Sequence, residues 1–334
     1  MVVCTGSPWR SALMTGPVET TTSMITNPIF LVGCVRSGTT LLRLMLDHHP
    51  DIAFDHEFEY AIDLIRPDGR YPSLDKFYSY LELHRIFLDS GRTIDRGLDF
   101  PELVDSFLRQ KRDEAGKELV GATIHYSYER VLNIWPDARF IHIVRDGRDV
   151  SLSIEAYGWT GNAYSASDWW IEAERSWDNL CRDVPVDRRV EVRFEELIEK
   201  PEEALTTICD FLGLDYSPEM LTYPLHSTYA PPSRRRVERW RASDPETIAL
   251  IESRAGAMLA KRKYEASGLP LPTITRGEHR ALIRRSRIEH ARRRLKDRGA
   301  ILFLADLISR RLNLPRLRRW VTQRLHALER SQLQ

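Results

Sequence analysis

Eight residues, Gly33 to Thr40, read GCVRSGTT. Two glycines with four residues between them, followed by two hydroxyls, form a spacing suited to an anion. Such a turn aims backbone N–H groups at the ligand, and a helix that starts there adds its dipole. Gly33 and Gly38 let the backbone approach closely. Arg36 puts a charge inside the loop, and Thr39 and Thr40 add hydroxyl donors. Nucleotide-binding P-loops follow the pattern G-x-x-x-x-G-K-[ST]. Thr40 holds the place of the metal-binding hydroxyl, but Thr39 replaces the lysine. Three readings stay open: a nucleotide loop without its cation, a different phosphate loop, or a glycine-containing turn with no ligand.

A second string, FIHIVRDGRDVSLS, spans residues 140–153. Arg145 closes an apolar run, at the strand end where α/β sheets bind ligands. Ser153 follows eight residues later, two turns into the next helix. The plainer reading of Arg145, Asp146, Arg148 and Asp149 is a set of surface ion pairs, each contributing ~0–1 kcal/mol.

These residues need elements to hold them. PIFLVG (28–33) reads as a buried strand. TTLLRLMLDHH (39–49) reads as a helix with Leu41, Leu42, Met45 and Leu46 on one face, stopped by Pro50. Strand, glycine loop and helix is the context a phosphate loop requires. Further strands are expected at 118–123, 138–145 and 189–194. Helices are expected at 101–116, 127–136, 146–157, 167–184 (capped by Ser167 or Asp168), 201–213 and 243–264. Residues 66–99 read as loops and short helices forming a lid. Strands alternating with helices imply a parallel α/β sheet. The expected fold is a three-layer α/β/α domain with a central parallel sheet over residues 27–270. Residues 1–26, rich in small polar residues and Met, read as a flexible leader, and Met24 offers a later start. Residues 271–334 read as a helical C-terminal extension.

The chain has 334 residues, 42% of them hydrophobic and 29% charged, enough for a sizeable soluble core. No run of eighteen apolar residues exists, so no membrane-spanning helix is expected. Cys4, Cys34, Cys181 and Cys209 show no metal or redox spacing and read as reduced thiols in a cytoplasmic protein. The net charge of +1 conceals an asymmetry. Residues 271–334 carry 17 Lys and Arg against 5 Asp and Glu, a net of +12, which leaves −11 for the rest.

The two strings together, in this order and about a hundred residues apart, resemble the nucleotide-dependent sulfotransferase family. VEVRFEELIEKPEEALTTICDFLGL (190–214) and RRRVERW (234–240) resemble its later segments, so the resemblance covers about residues 27–266. It implies a P-loop-like α/β fold and 3′-phosphoadenosine 5′-phosphosulfate (PAPS) as donor, with adenosine 3′,5′-bisphosphate (PAP) as product. It implies that Arg36, Ser37, Gly38, Thr39, Thr40 and Leu41 grip the 5′-phosphosulfate. Arg145 and Ser153 would grip the 3′-phosphate, and Arg234 and Arg235 would belong to a basic donor loop. A sulfuryl group carries less charge than a γ-phosphoryl group, so a loop without lysine and without metal can suffice. Arg36 then stabilises the leaving phosphate electrostatically.

A hydroxyl attacking sulfur needs a base within hydrogen-bond reach. By resemblance to the bacterial and carbohydrate-type branch, Glu57 in HPDIAFDHEFEY (49–60) fits best, with His56, Glu59 and Asp55 as competitors. The family's lysine at the end of the second expected strand is absent: GATIHY (121–126) has Ala122 there. His125 is then an auxiliary acid–base candidate. Of Trp159, Trp169, Trp170, Trp177 and Trp240, most read as core, Trp169 and Trp177 by their helical spacing, and one or two, without a sign of which, can stack a base or sugar face. The glutamate branch favours a carbohydrate, glycolipid or other lipid-linked acceptor. The basic tail suits peripheral contact with an anionic membrane, while no nucleic-acid module is visible and a homodimer stays open. Two rivals remain, a P-loop kinase or NTPase and a non-catalytic nucleotide-binding protein with a degenerate site.

Overall fold

The computed structural model describes residues 23–333, apart from Thr228, Ala230, Pro232 and Asn313. Most of the expected leader therefore lies outside the described residues. Met24 and Ile25 already pack against the core, and the Ile25 N–H donates to Asp105.

Four residues, IFLV, form β1 (Ile29–Val32), fully buried on both faces. Its alternation sorts the core: Phe30 and Val32 face one apolar cluster, Ile29 and Leu31 the other. A strand buried on both faces needs helices above and below it. The glycine loop then leads into α1 (Thr39–Asp47), and β2 (Ile52–Glu57) follows. Helices α2 (Leu74–Leu81), α3 (Arg85–Ser90) and α4 (Phe100–Ala115) occupy the region read as a lid and beyond. Asp99 and Glu102 build a capping box at the start of α4.

The chain returns to the sheet with β3 (Leu119–Ile124) and β4 (Arg139–Val144). Between them residues Tyr128–Asn133 form a 3-10 turn rather than the expected helix. Next come α5 (Gly147–Ala156), α6 (Ala163–Asp183) and β5 (Arg189–Arg193). Then α7 (Phe194–Glu199), α8 (Pro201–Leu212) and α9 (Pro245–Lys261) complete the main body. The cap of α6 is Asn162, ahead of both Ser167 and Asp168, because its side chain accepts the Ser165 N–H. Ser167 instead bonds back to Tyr164 inside the helix.

All five strands pair in parallel in the order β2-β3-β1-β4-β5. This is the three-layer α/β/α sheet expected from the alternation of elements. One strand is not among those expected from the sequence: the acidic stretch after α1 forms β2. It lies at the sheet edge, where a polar end is tolerated, and Asp55, His56 and Glu57 hid its extended run. The extension forms α10 (Arg276–Arg311), broken at Gly299, and α11 (Pro315–Leu333). Among the described residues, no helix is long and apolar enough to cross a membrane.

Candidate active site

The carboxyl end of each strand delivers a residue to one cavity of about 760 Å³. After β1 comes the glycine loop; Glu57 closes β2; His125 follows β3; Arg145 follows β4; Phe194 follows β5. Ligand sites of open α/β sheets lie at this edge.

Local sterics explain the loop. A Cβ on Gly33 would sit 2.5 Å from the Ile143 carbonyl oxygen, so only glycine lets β1 and β4 pass this closely. Gly38 has φ +104° and caps α1, and a Cβ there would meet the Phe194 ring at 2.4 Å. Arg36 is left-handed as well, with φ 70°. For a non-glycine residue that costs on the order of 1–2 kcal/mol, the kind of strain that concentrates at functional sites.

The strained conformation aims Arg36. Its Nε donates to Ser153 Oγ at 3.1 Å, and its guanidinium lies 3.9 Å over the Tyr157 ring. Arg145 is buried and braces the loop by donating to the Arg36 carbonyl at 3.0 Å. It also donates to the Arg236 carbonyl at 2.7 Å and lies 4.5 Å over Phe194. Asp149 accepts from Arg145 and from the backbone N–H groups of Arg239 and Trp240. These anchors settle the register of the RRRVERW loop. Arg236 and Arg239 line the cavity, whereas Arg234 and Arg235, the expected pair, are exposed away from it. The segment reaches the cavity, and its register depends on bonds from residues 90 positions away.

The RDGRD string is not a set of surface pairs. Arg148 is buried, pairs with Asp146 and Glu252 at 2.6 Å each, and stacks 3.5 Å from Trp240. It ties α5 to α9. Breaking such a buried pair costs about 3–5 kcal/mol.

The opposite wall carries carboxylates and a histidine. The register between β2 and β3 runs Phe54 with Gly121, then Glu57 with Thr123. Three steps on β2 meet two on β3, so one extra residue bulges there. A bulge re-aims the side chains beyond it, and Glu57 enters the cavity while His56 stays exposed. Burial pushes the Glu57 carboxyl up, but a backbone hydrogen bond and the fields of His125 and Arg43 outweigh it. The net direction is below the ordinary carboxylate value, so Glu57 is ionised at neutral pH.

The other candidates are placed differently. Asp55 is buried and held by Arg92 at 3.2 Å. Glu59 lines the cavity, but its Oε1 accepts both the backbone N–H and the Nδ1–H of His125, at 2.9 and 2.7 Å. His125 Nε2 reaches Thr39 Oγ1 at 3.1 Å. Burial lowers the His125 pKa, yet Glu59 and then Glu57 raise it further, and the net direction is up. Ala122 is fully buried inside β3. His125 is therefore the group at the end of this strand whose protonated form is favoured, beside the residue that replaces a P-loop lysine.

Of the remaining expected residues, Gly38, Thr39, Thr40 and Leu41 line the cavity, and Ser37 lies buried beneath it. Ser37 Oγ and Arg145 Nε are buried and find no hydrogen-bond partner among the described residues. Buried polar atoms at a binding loop call for a ligand or water. Tyr157 and Trp159 complete the rim, with Trp159 stacked on Trp169 at 6.3 Å. Trp170, Trp177 and Trp240 are core.

A profile of the Sulfotransferase family matches residues 28–218. The chain belongs to the sulfotransferase family. That stretch contains the loop, Glu57, His125, Arg145 and Ser153, and ends before Arg236 and the extension. Among relatives, a protein-tyrosine sulfotransferase of Drosophila melanogaster is 29% identical over 58% of this chain and 39% of its own length. A putative protein-tyrosine sulfotransferase of Caenorhabditis briggsae is 28% identical over 58% of this chain and 68% of its own. This sulfotransferase-family chain thus aligns with well under half of the fly protein. A sulfotransferase domain from the curacin biosynthetic pathway superposes with a TM-score of 0.51 at 18% identity, covering 75% of this chain and 100% of that one. That likeness concerns the fold.

Proposed function

We propose that this chain transfers a sulfuryl group from PAPS to an acceptor hydroxyl and releases PAP. One observation carries the reading: Arg36 and Arg145 after β1 and β4, Arg236 and Arg239 from the later loop, and the strained glycine loop line the same cavity as an ionised Glu57. The arginines suit a polyanionic donor, and the loop amides suit its 5′-phosphosulfate. Glu57 accepts the proton of the acceptor hydroxyl as its oxygen attacks sulfur in line. The bond between sulfur and the bridging phosphate oxygen breaks, and its electron pair leaves on that oxygen. Arg36, fixed by Ser153 and Tyr157, meets the charge that develops there. His125 holds Thr39 and adds positive potential.

The acceptor belongs to the same proposal. Trp159, exposed at the cavity rim and backed by Trp169, suits a sugar ring, in keeping with a carbohydrate, glycolipid or other lipid-linked acceptor. Peripheral membrane contact has its own support. Ile301, Leu304, Leu307 and Ile308 are exposed on α10, within a stretch of net charge +12. Apolar side chains set among arginines suit an anionic lipid surface.

The deciding test is calorimetric titration with PAP, with ATP plus magnesium and with adenosine 5′-monophosphate. Metal-independent binding of PAP that requires the 3′-phosphate is expected. A preference for ATP with magnesium would favour a kinase, and no binding would favour a scaffold. A panel of phenols, oligosaccharides and polyprenyl alcohols with ³⁵S-labelled donor then finds the acceptor. Cosedimentation with phosphatidylserine vesicles, absent with phosphatidylcholine alone and lost in Ile301→Glu/Leu304→Glu, tests the membrane contact.

A further inference from the structure

The sequence presents residues 271–334 as an appendage. The structure gives the first part of α10 a different place. Five of its residues, His279, Leu282, Ser286, His290 and Arg293, grip one short segment, residues 155–164. Their spacing of three, four, four and three residues is one helical face over about four turns.

The bonds are specific. Arg293 donates to the Glu155 carbonyl at 2.8 Å, and the His290 Nδ1–H donates to the Gly158 carbonyl at 2.9 Å. The Gly161 N–H donates to Ser286 Oγ at 3.0 Å, and Ser286 is buried. Asn162 Nδ2 donates to the Leu282 carbonyl at 3.0 Å, and the Tyr164 hydroxyl pairs with His279 Nδ1 at 2.9 Å. The approach is close enough that a Cβ on Gly161 would lie 2.2 Å from the Ser286 carbonyl oxygen.

The gripped segment is the turn between α5 and α6, and it carries two rim residues. Tyr157 supports the Arg36 guanidinium, and Trp159 lines the cavity. The turn is short of regular structure of its own, and Gly158 sits at φ +78°. Its backbone groups at 155, 158 and 161 are satisfied partly from α10, across 125 to 138 positions of chain.

We infer that α10 is a strap that positions Tyr157, and through it Arg36, for the donor, so that Ser286, His290 and Arg293 are positioning residues of the active site. The inference rests on the sulfuryl-transfer reading. It assigns the extension a part in the site, although the family match ends at residue 218.

The test uses the full chain and PAP as probe. In Ser286→Ala/His290→Ala the PAP affinity is expected to fall about tenfold, the scale of coupling through a packed network. Acrylamide quenching of tryptophan fluorescence should rise as Trp159 loosens, with the circular dichroism unchanged. Ser286→Thr/His290→Asn, which keeps both hydrogen-bonding groups, should restore affinity to within twofold. Gly161→Ala provides a second route to the same loss, through the backbone rather than the side chains. PAP affinity within twofold of wild type in both the double alanine variant and Gly161→Ala overturns the strap. Equal loss in the alanine and conservative pairs overturns it too. Failure of the wild type itself to bind PAP would instead overturn the donor reading.

Discussion

The two ends of the cavity are built from different chemistry, and the strand order separates them. Over β1, β4 and β5 lie Arg36, Arg145, Arg236 and Arg239, fixed by backbone carbonyls, aromatic faces and Asp149. Over β2 and β3 lie Glu57, Glu59 and His125, fixed by a bulge and by one another. The first end suits binding of a polyanion and stabilisation of a leaving phosphate. The second suits acceptance of a proton. Keeping them apart matters: a base placed among the four arginines would lose still more of its basicity than Arg43 already takes from Glu57. The difference teaches that binding and turnover should come apart under mutation.

Glu57→Gln is the largest test of that separation. It removes the proposed proton acceptor and keeps its shape. Turnover of labelled donor, with an acceptor found in the panel, should fall on the order of 10²–10⁴-fold. PAP affinity by calorimetry should stay within twofold. Equal loss of both would mean that Glu57 serves the donor, and unchanged turnover would move the base to Glu59 or His125. Arg145→Ala is the converse. It withdraws a buried guanidinium that holds the loop at the Arg36 carbonyl and the arginine-bearing segment at the Arg236 carbonyl. PAP affinity should fall at least about thirtyfold, the scale for truncating a buried, hydrogen-bonded charge. Donor binding that survives in this variant would break the comparison at its cationic end.

The cationic end was also the more legible in the sequence, and for a physical reason. A phosphate loop is contiguous: Gly33, Arg36, Gly38, Thr39 and Thr40 must be neighbours because the ligand meets their backbone. Arg145 and Ser153 are tied by one strand end and two turns of helix. The acidic end is written in DHEFE, where three carboxylates and a histidine compete and resemblance alone favours Glu57. Only the bulge in β2, set by pairing with β3, decides which of them faces in. The same holds for Arg236 over Arg234. Its register comes from Arg145 and Asp149, far away in the chain. The α5–α6 turn is further still from legibility, since α10 reaches it from more than a hundred residues away.

His125 sits between the two ends, and its titration sharpens the comparison. Glu59 and Glu57 raise its pKa against the effect of burial, so the imidazolium persists above the ordinary histidine value of about 6.5. As pH rises through the raised value the charge disappears beside Thr39. PAP should then bind several-fold more weakly on the alkaline side, and the wild-type turnover profile should carry an alkaline limb there. Stability follows the same sign. The pair with Glu59 contributes fully below the unfolded-state value and is lost as pH rises through the folded one. Glu57 has the opposite sense: its pKa is lowered, so its acid limb should lie below the ordinary carboxylate value of about 4.3. His125→Gln keeps a polar group for Thr39 but cannot titrate. It should lower turnover only about tenfold near neutral pH, flatten the alkaline limb and leave the acid limb in place. An alkaline limb that survives this substitution would assign it to another group, and His125 would then be a spacer between Glu59 and the loop rather than the cation that links the two ends.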